Sequence, residues 1–407
     1  MRAPQLGILL LCIIVNTQEF LAKKLSLPIL GLIDELALCT AYILVPLWLR
    51  RKEHYIFYAI LLLPIFSILY SITANLLIWN ESRVTPSIIQ SIINCKLYIL
   101  FALFFAIKEK YKISSSEFSK IFTICITISA IGFIANIVTP ENFIFSEEVW
   151  HIERNRIVGF QYKPNDLGLA LALFFFLLLF SGQRKASNFI LIGIVAVACY
   201  LTGSRTSLAV MAIAIACYIS IKSKHKPIII ATLVLAIPFI VSNEAFLNSF
   251  LVKETLSNTK EIQNINQSQY IRAIVIFYGI QLSLAYFPLG VGAGNYGGVA
   301  SEGSPAYDSL GLSNSQFFSE LSGVYDSNLA SILGEYGIIG VLITILITYK
   351  ILTKTLENKR LATGLLFTTL FISISQPMFS YHVNSINLIL LSFSIPSQNQ
   401  KKSANQS

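Results

Sequence analysis

The sequence predicts an all-α, polytopic membrane protein, and three observations predict it. The 407 residues are 55% hydrophobic and only 13% charged. Apolar stretches near the ~20 residues that cross a hydrocarbon core recur along the chain. The 30 lysines and arginines fall in short clusters between those stretches, a pattern that sets membrane topology and excludes nucleic acid as the partner of a net charge of +9. The partner of most of the surface is the lipid bilayer.

The elements follow in order. A first span is expected at 5–22: Leu6 to Val15 looks like a signal segment, but no small-residue cleavage site follows, and Asn16 to Lys24 reads as its ragged end. Spans at 27–49 and 55–79 flank the basic cluster Arg50, Arg51 and Lys52, and spans at 86–107 and 119–139 flank Lys108, Lys110 and Lys112. The next, 165–181, opens on Pro164-Asn165, a helix-start pair in which Asn165 can cap. Spans 187–202 and 206–221 are divided by Gly203, a natural helix stop, and Ser204, a natural N-cap. A span at 227–242 follows Lys222, Lys224 and Lys226, and the last three lie at 327–350, 361–376 and 380–396. That makes about twelve helices.

Placing the N-terminus in the cytoplasm puts nineteen basic residues inside and ten outside, with Lys96 left within a span. The excess fixes the orientation, with both termini cytoplasmic. Ile271 to Phe287 is expected not to cross: about 17 residues make a helix of ~25 Å against a ~30 Å core. It is interrupted by Gly279, Gln281 and Ser283 and stops at Pro288. Crossing would also turn Lys354, Lys359 and Arg360 outward. The chain therefore divides into helices 1–9 over 1–242, a periplasmic region 243–326 with an interfacial helix near 271–287, helices 10–12 over 327–396, and a polar, disordered cytoplasmic tail 397–407. No period of 20 to 50 residues repeats.

The six cysteines and four histidines are scattered without the spacing of a metal site, so any catalysis is expected to need neither metal nor cofactor. Three external segments carry the polar content. The first holds His151, Glu153, Arg154, Arg156, Gly159 and Asn165. The second is the turn Gly203-Ser204-Arg205-Thr206, where an arginine opens a helix against the macrodipole unless an anion sits there, and where N–H groups with a guanidinium make a phosphate site. The third runs from Arg272 through the glycines at 290, 292 and 294 to Asp326 and Asn328. No strand precedes those glycines, so they are read as a tight turn rather than a dinucleotide loop. Beyond them, Asn328, Ser331 and Glu335 share one helix stripe, with Glu335 about two turns into the bilayer. Gly334, Gly337 and Gly340 would permit close packing.

The order Arg156-x-x-Gly159, Pro164-Asn165, Gly203-Ser204-Arg205-Thr206, Arg272, Pro288-Leu-Gly-Val-Gly-Ala-Gly-Asn295, Asp326-x-Asn328 and Gly334-Glu335-Tyr336-Gly337 resembles the O-antigen ligase and Wzy-type O-antigen polymerase superfamily of bacterial lipid-linked oligosaccharide glycosyltransferases. The resemblance covers 156–340. It implies a GT-C-like enzyme of the bacterial inner membrane that moves glycan from undecaprenyl pyrophosphate to a hydroxyl of another lipid-linked repeat unit, with a chain-length regulator as a further partner. By it, Arg156, Arg205 and Arg272 hold the pyrophosphate; Arg154, Ser204, Asn165 and Asn328 are further candidates for binding the substrate. Ligases of the superfamily, which transfer to lipid A core or protein, present histidine where this chain has Asp326, and that favours the polymerase. Asp326 is the first candidate base, followed by Glu335, His151 and Glu153, in a single displacement with inversion. A lipid-linked oligosaccharide flippase is the alternative of another class, against which the lack of internal repeats counts.

Overall fold

The computed structural model describes residues 3–24, 26, 32–49, 55–139, 157–161, 163–181, 186–222, 253, 257–258, 260–261, 268, 270–321, 323–356 and 358–395. Among them every regular element is helical: α1 (Ala3–Lys24), α2 (Ile33–Trp48), α3 (Tyr55–Ala74), α4 (Val84–Asn94), α5 (Lys96–Tyr111), α6 (Ser115–Val138), α7 (Pro164–Phe180), α8 (Ala186–Leu201), α9 (Arg205–Lys222), α10 (Ile271–Ala285), the short α11 (Pro305–Ser309) and α12 (Gln316–Ser319), α13 (Asn328–Leu356), α14 (Lys359–Ser375) and α15 (His382–Ser394). Four stretches, Ala3–Lys24, Tyr55–Trp79, Ser115–Val138 and Asn328–Leu356, are long and apolar enough to cross a membrane, and α4 with α5 makes a fifth if that bent pair is one span. These helices mark a multi-pass membrane protein. The expected span 227–242 and the tail 397–407 lie outside the described residues.

Local chemistry explains where the helices start. Ser114 and Glu117 form a reciprocal capping box at α6. Pro164 occupies the first turn of α7, where a missing N–H costs nothing. The Asn358 side chain accepts from the amides of Arg360 and Leu361 at the head of α14.

The expected span 86–107 is broken. Its two halves, α4 and α5, meet at 48° because the Leu97 amide donates across the bundle to the Phe379 carbonyl at 3.1 Å instead of to its own helix. Residues 55–79 also change character, closing on a π-helical turn at Asn75–Trp79.

Burial follows the all-round apolarity of the segments. Leu97 to Ala106 of α5, Leu167 to Leu177 of α7 and all of α15 are buried on every face, so these three form the centre of the bundle. Stacked rings of Phe118 on Phe393 and Phe57 on Phe105 join this centre to its neighbours. The outer helices expose Leu, Ile and Phe, as at Leu62, Phe66 and Leu69 of α3 and Phe189, Ile190 and Ile194 of α8. That is the surface a lipid solvent demands.

The segment 286–304 packs into α13 rather than leaving it. The Val291 and Gly292 amides donate to the Gly334 and Glu335 carbonyls at 3.0 and 2.7 Å. Gly337 leaves helical geometry at φ 62°, ψ −160°, and a Cβ there would lie 2.3 Å from the Pro288 carbonyl oxygen. The glycines expected to serve helix packing thus admit a loop instead: a Cβ on Gly334 would sit 2.3 Å from the Tyr296 ring. Gly290, Gly292 and Gly294 all have positive φ, as the tight-turn reading requires. Arg83 fastens the outer part of the loop through the carbonyls of Gly294, Ala300, Glu302 and Gly303, at 3.3, 3.4, 2.9 and 2.5 Å.

Candidate functional site

A cavity of about 580 Å³ opens where the C-terminal parts of α1 and α14 meet the starts of α2, α5, α7, α10 and α15 and the 3-10 turn Val324–Asp326. Its position is set by sequence that places ionisable groups at helix ends. Asp34 and Glu35 lie in the first turn of α2, Asp166 in the first turn of α7, and Lys96 at the α4–α5 break.

Three of the residues singled out in the sequence line this cavity: Asn165, Arg272 and Asp326. Arg272 Nη2 donates to Asp326 Oδ2 at 3.1 Å across 54 residues of chain. The Nε of Arg272 has no hydrogen-bond partner among the described residues, so part of the guanidinium fork is uncommitted.

Arg205 stands one residue from Thr206, whose hydroxyl lies 2.8 Å from that of Ser375 in the cavity wall. The turn before it is drawn against the start of α7: a Cβ on Gly168 would meet Ser207 Oγ and Thr202 Oγ1 at 2.6 Å each. The second segment is thereby brought beside the first. Ser204 is fully buried and receives the Ser207 hydroxyl at 2.7 Å and the Ser207 amide at 3.4 Å, which is N-cap work. Arg154, Arg156, His151 and Glu153 lie outside the described residues.

Two predicted residues hold the frame. Asn328 Oδ1 accepts from the Phe379 amide at 2.7 Å, and its Nδ2 donates to Ser380 Oγ at 3.0 Å. It thus pins the 376–381 turn, which supplies Gln376, Pro377, Ser380 and Tyr381 to the cavity wall. Glu335 does not line this cavity: fully buried, it accepts from the Gly294 amide and from Asn94 Nδ2, both at 2.7 Å, and anchors the glycine loop to α4. This differs from the expectation of a base near the acceptor, because the loop folds down over the helix stripe that carries Glu335.

Sequence reasoning counted Lys163 and Asp166 among the external polar residues and Lys96 as a charge left within a span, but missed Asp34 and Glu35 and the pairing that builds the other half of the wall. Lys96 Nζ lies 2.5 Å from Asp34 Oδ2 and 3.2 Å from Glu35 Oε1, and Gln18 Nε2 donates to Asp34 Oδ1 at 3.0 Å. Lys163 pairs with Glu19 at 3.2 Å and lies over the Tyr381 ring, while Tyr381 donates to Glu19 at 2.5 Å. Burial opposes the charge of Lys163, but Asp166 and Glu19 outweigh it and hold its pKa well above the ordinary lysine value. A signal for these residues was present. An acid within 27–49 and a lysine within 86–107 are costly in hydrocarbon unless paired.

Electrostatically the lining is mixed. Lys96, Lys163 and Arg272 face Asp34, Glu35, Asp166 and Asp326, and each cation already has a carboxylate partner. An anionic ligand must therefore compete with Asp326 for Arg272 or use the donors of that guanidinium which Asp326 leaves. Both amide atoms of Gln376, buried in the wall, have no partner among the described residues, nor has His382 Nε2.

A second cavity of about 220 Å³ is apolar, with Leu63, Phe66, Leu289, Ile339 and Ile343 in its wall. Asn94 and Cys95 line it while Ile93 and Lys96 line the larger one, so the α4–α5 break divides the two. Among the described residues no cluster of His, Cys, Asp or Glu could hold a metal ion. Comparison of the chain with known proteins finds no matching family model and no matching curated relative.

Proposed function

We propose that this chain is a glycosyltransferase of a bacterial inner membrane that uses a polyprenyl-diphosphate-linked oligosaccharide as donor, and that it is a polysaccharide polymerase. The proposal includes twelve crossings of GT-C-like arrangement, both termini in the cytoplasm and the polar cavity on the periplasmic side. The observation that carries it is the meeting of Asn165, Arg272 and Asp326, with the Arg205 turn beside them, around one cavity large enough for sugar residues. Guanidinium groups aimed at the bridging oxygen of a departing diphosphate stabilise the charge that develops there. The acceptor is the hydroxyl of a second lipid-linked repeat unit.

Export of the same lipid-linked oligosaccharide is the second reading. The buried Asp34, Lys96 and His382 favour it, since ionisable groups at membrane depth also mark transport paths.

The test is a purified-enzyme assay with lipid-linked repeat units. Wild type should lengthen the glycan, and Arg205→Ala should abolish polymer while the protein still inserts. Arg205→Lys should also be poor, because the forked donor geometry is lost. Polymer from Arg205→Ala at the wild-type level would remove the phosphate-ligand role. Movement of the donor across proteoliposomes without elongation would favour export.

A further inference from the structure

Among the cations that line the polar cavity, Lys163 has the most room for a ligand. Its side chain is 42% exposed, against 20% for Arg272 and 6% for Lys96. Lys96 is also fully engaged, because two carboxylates, Asp34 and Glu35, stand within ion-pair distance of it. Lys163 has a single ion-pair partner among the described residues, Glu19 at 3.2 Å. That partner is shared: the oxygen that Lys163 approaches, Oε1, also accepts the Tyr381 hydroxyl at 2.5 Å. An ammonium carries three N–H donors, and among the described residues Glu19 takes one. The other two can meet a ligand.

The position and the charge of this lysine are both held. A residue before proline is confined to extended backbone, and Lys163, before Pro164, has φ −133° and ψ 132°. Its Nζ lies 5.0 Å from the centre of the Tyr381 ring, a contact that orients the ammonium without neutralising it. Burial works against the charge, yet Asp166 and Glu19 keep the pKa above the ordinary lysine value. The turn Val324–Asp326 connects Lys163 to Arg272. Tyr325 lies near enough to Lys163 to act on its titration, and the next residue, Asp326, accepts from Arg272 Nη2 at 3.1 Å. All four side chains line the cavity. Two cations linked through one turn offer a positive group to each phosphate of a diphosphate, a planar fork at Arg272 and a point charge at Lys163.

We propose that Lys163 is a second cation for the diphosphate of the lipid-linked donor, acting beside Arg272, with Glu19 as the counter-ion that the phosphate replaces. This rests on the glycosyl-transfer reading above and adds to it a residue outside the predicted diphosphate set. Displacement leaves no bare carboxylate behind, because Glu19 keeps the Tyr381 hydroxyl as its donor.

The test uses the full chain in phosphatidylcholine nanodiscs and a fluorescent, short-chain polyprenyl diphosphate as probe, with the matching monophosphate and phosphatidylglycerol as competitors. Lys163→Met keeps the stem and removes the ammonium; it should raise the Kd for the diphosphate about ten- to hundredfold. The preference for diphosphate over monophosphate should shrink with it, and Lys163→Arg should recover most of the loss. Glu19→Gln retains an oxygen for Tyr381 but removes the competing charge, so it should tighten binding about two- to fivefold. The opposite signs separate a ligand from a structural pair, since a lysine that served only to balance Glu19 would make neither variant bind better.

Lys163→Met at the wild-type Kd, in a sample that elutes and melts like wild type, would overturn the proposal. If Arg272→Ala then collapses binding, the donor reading stands with Arg272 alone. A Glu19→Gln that fails to tighten binding would also overturn it, and decides the matter by itself where Lys163→Met does not fold. Displacement of the probe by phosphatidylglycerol as readily as by unlabelled diphosphate would assign Lys163 to ordinary lipid headgroups and overturn it as well. A wild type with no measurable affinity for the diphosphate would overturn the donor reading itself.

Discussion

Replacing Lys96 with methionine isolates the buried ionic cluster, because methionine keeps the length of the stem and removes only the ammonium. Lys96 is 5% exposed and Asp34 1% exposed, so neither charge has solvent to fall back on. In the wild type, Asp34 accepts from Lys96 at 2.5 Å and Gln18 at 3.0 Å, with His382 3.4 Å away. In Lys96→Met only Gln18 and His382 remain for a buried carboxylate. Removing one partner of such a pair costs about 3–5 kcal/mol, since the other charge is left uncompensated. At 1.4 kcal/mol per tenfold, that is roughly two to three and a half powers of ten in the folded-to-unfolded ratio.

The double variant Lys96→Met/Asp34→Asn removes both charges while the new amide oxygen can still accept from Gln18, and it should recover at least half of the loss. SDS-induced unfolding of the detergent-solubilised protein, followed by tryptophan fluorescence, measures both. A single variant as stable as wild type, or a double variant no better than the single one, would refute the argument that the pair is mutually dependent.

Two further outcomes bear on the loop and its anchor. Gly337→Ala should destabilise by several kcal/mol, because a side chain is strained at φ 62° and its Cβ would lie 2.3 Å from the Pro288 carbonyl oxygen; faster hydrogen exchange over 290–304 is the measurement, and unchanged protection would contradict the packing described. Glu335→Gln keeps an oxygen for the Gly294 amide, so it should cost about 1–3 kcal/mol in stability and leave kcat within a few-fold of wild type. Abolished turnover in a well-folded Glu335→Gln sample would make Glu335 a participant in the reaction rather than an anchor.

Most helices were legible because apolar length, basic clusters and end signals agree. Pro164 and Ser204 each stand at or beside a helix start. The 15 residues of α10 are too few for a ~30 Å core at 1.5 Å per residue. Its first turn carries Arg272 beside Asp326, and the residues that follow its last turn hydrogen-bond to α13. The break at Cys95 was not legible, because it depends on the Phe379 carbonyl, which arrives from almost 300 residues downstream.

In the site, Arg272, Asp326 and Asn165, picked out as external polar residues, all line the larger cavity. Reasoning by loop alone passed over Asp34, Lys96 and His382, which sit within or at the ends of apolar segments. Glu335 was noticed for its depth, yet its partners, the Gly294 amide and Asn94, belong to segments that only the folded chain brings near. Spacing along one helix shows which residues share a face but not what covers that face.

The grip of Arg83 on Gly294, Ala300, Glu302 and Gly303 is made through peptide oxygens alone. A latch that reads only main chain is indifferent to which side chains its strap displays. The exposed Val299 and Glu302 can therefore exchange identity, and with it whatever they present outward, while the strap keeps its shape; Gly298, whose Cβ would lie 2.3 Å from Gln90 Cδ, and the buried Ser301 cannot. Losing the single guanidinium would release all four points of attachment together, so variation should be tolerated at those two outward positions and not at the buckle.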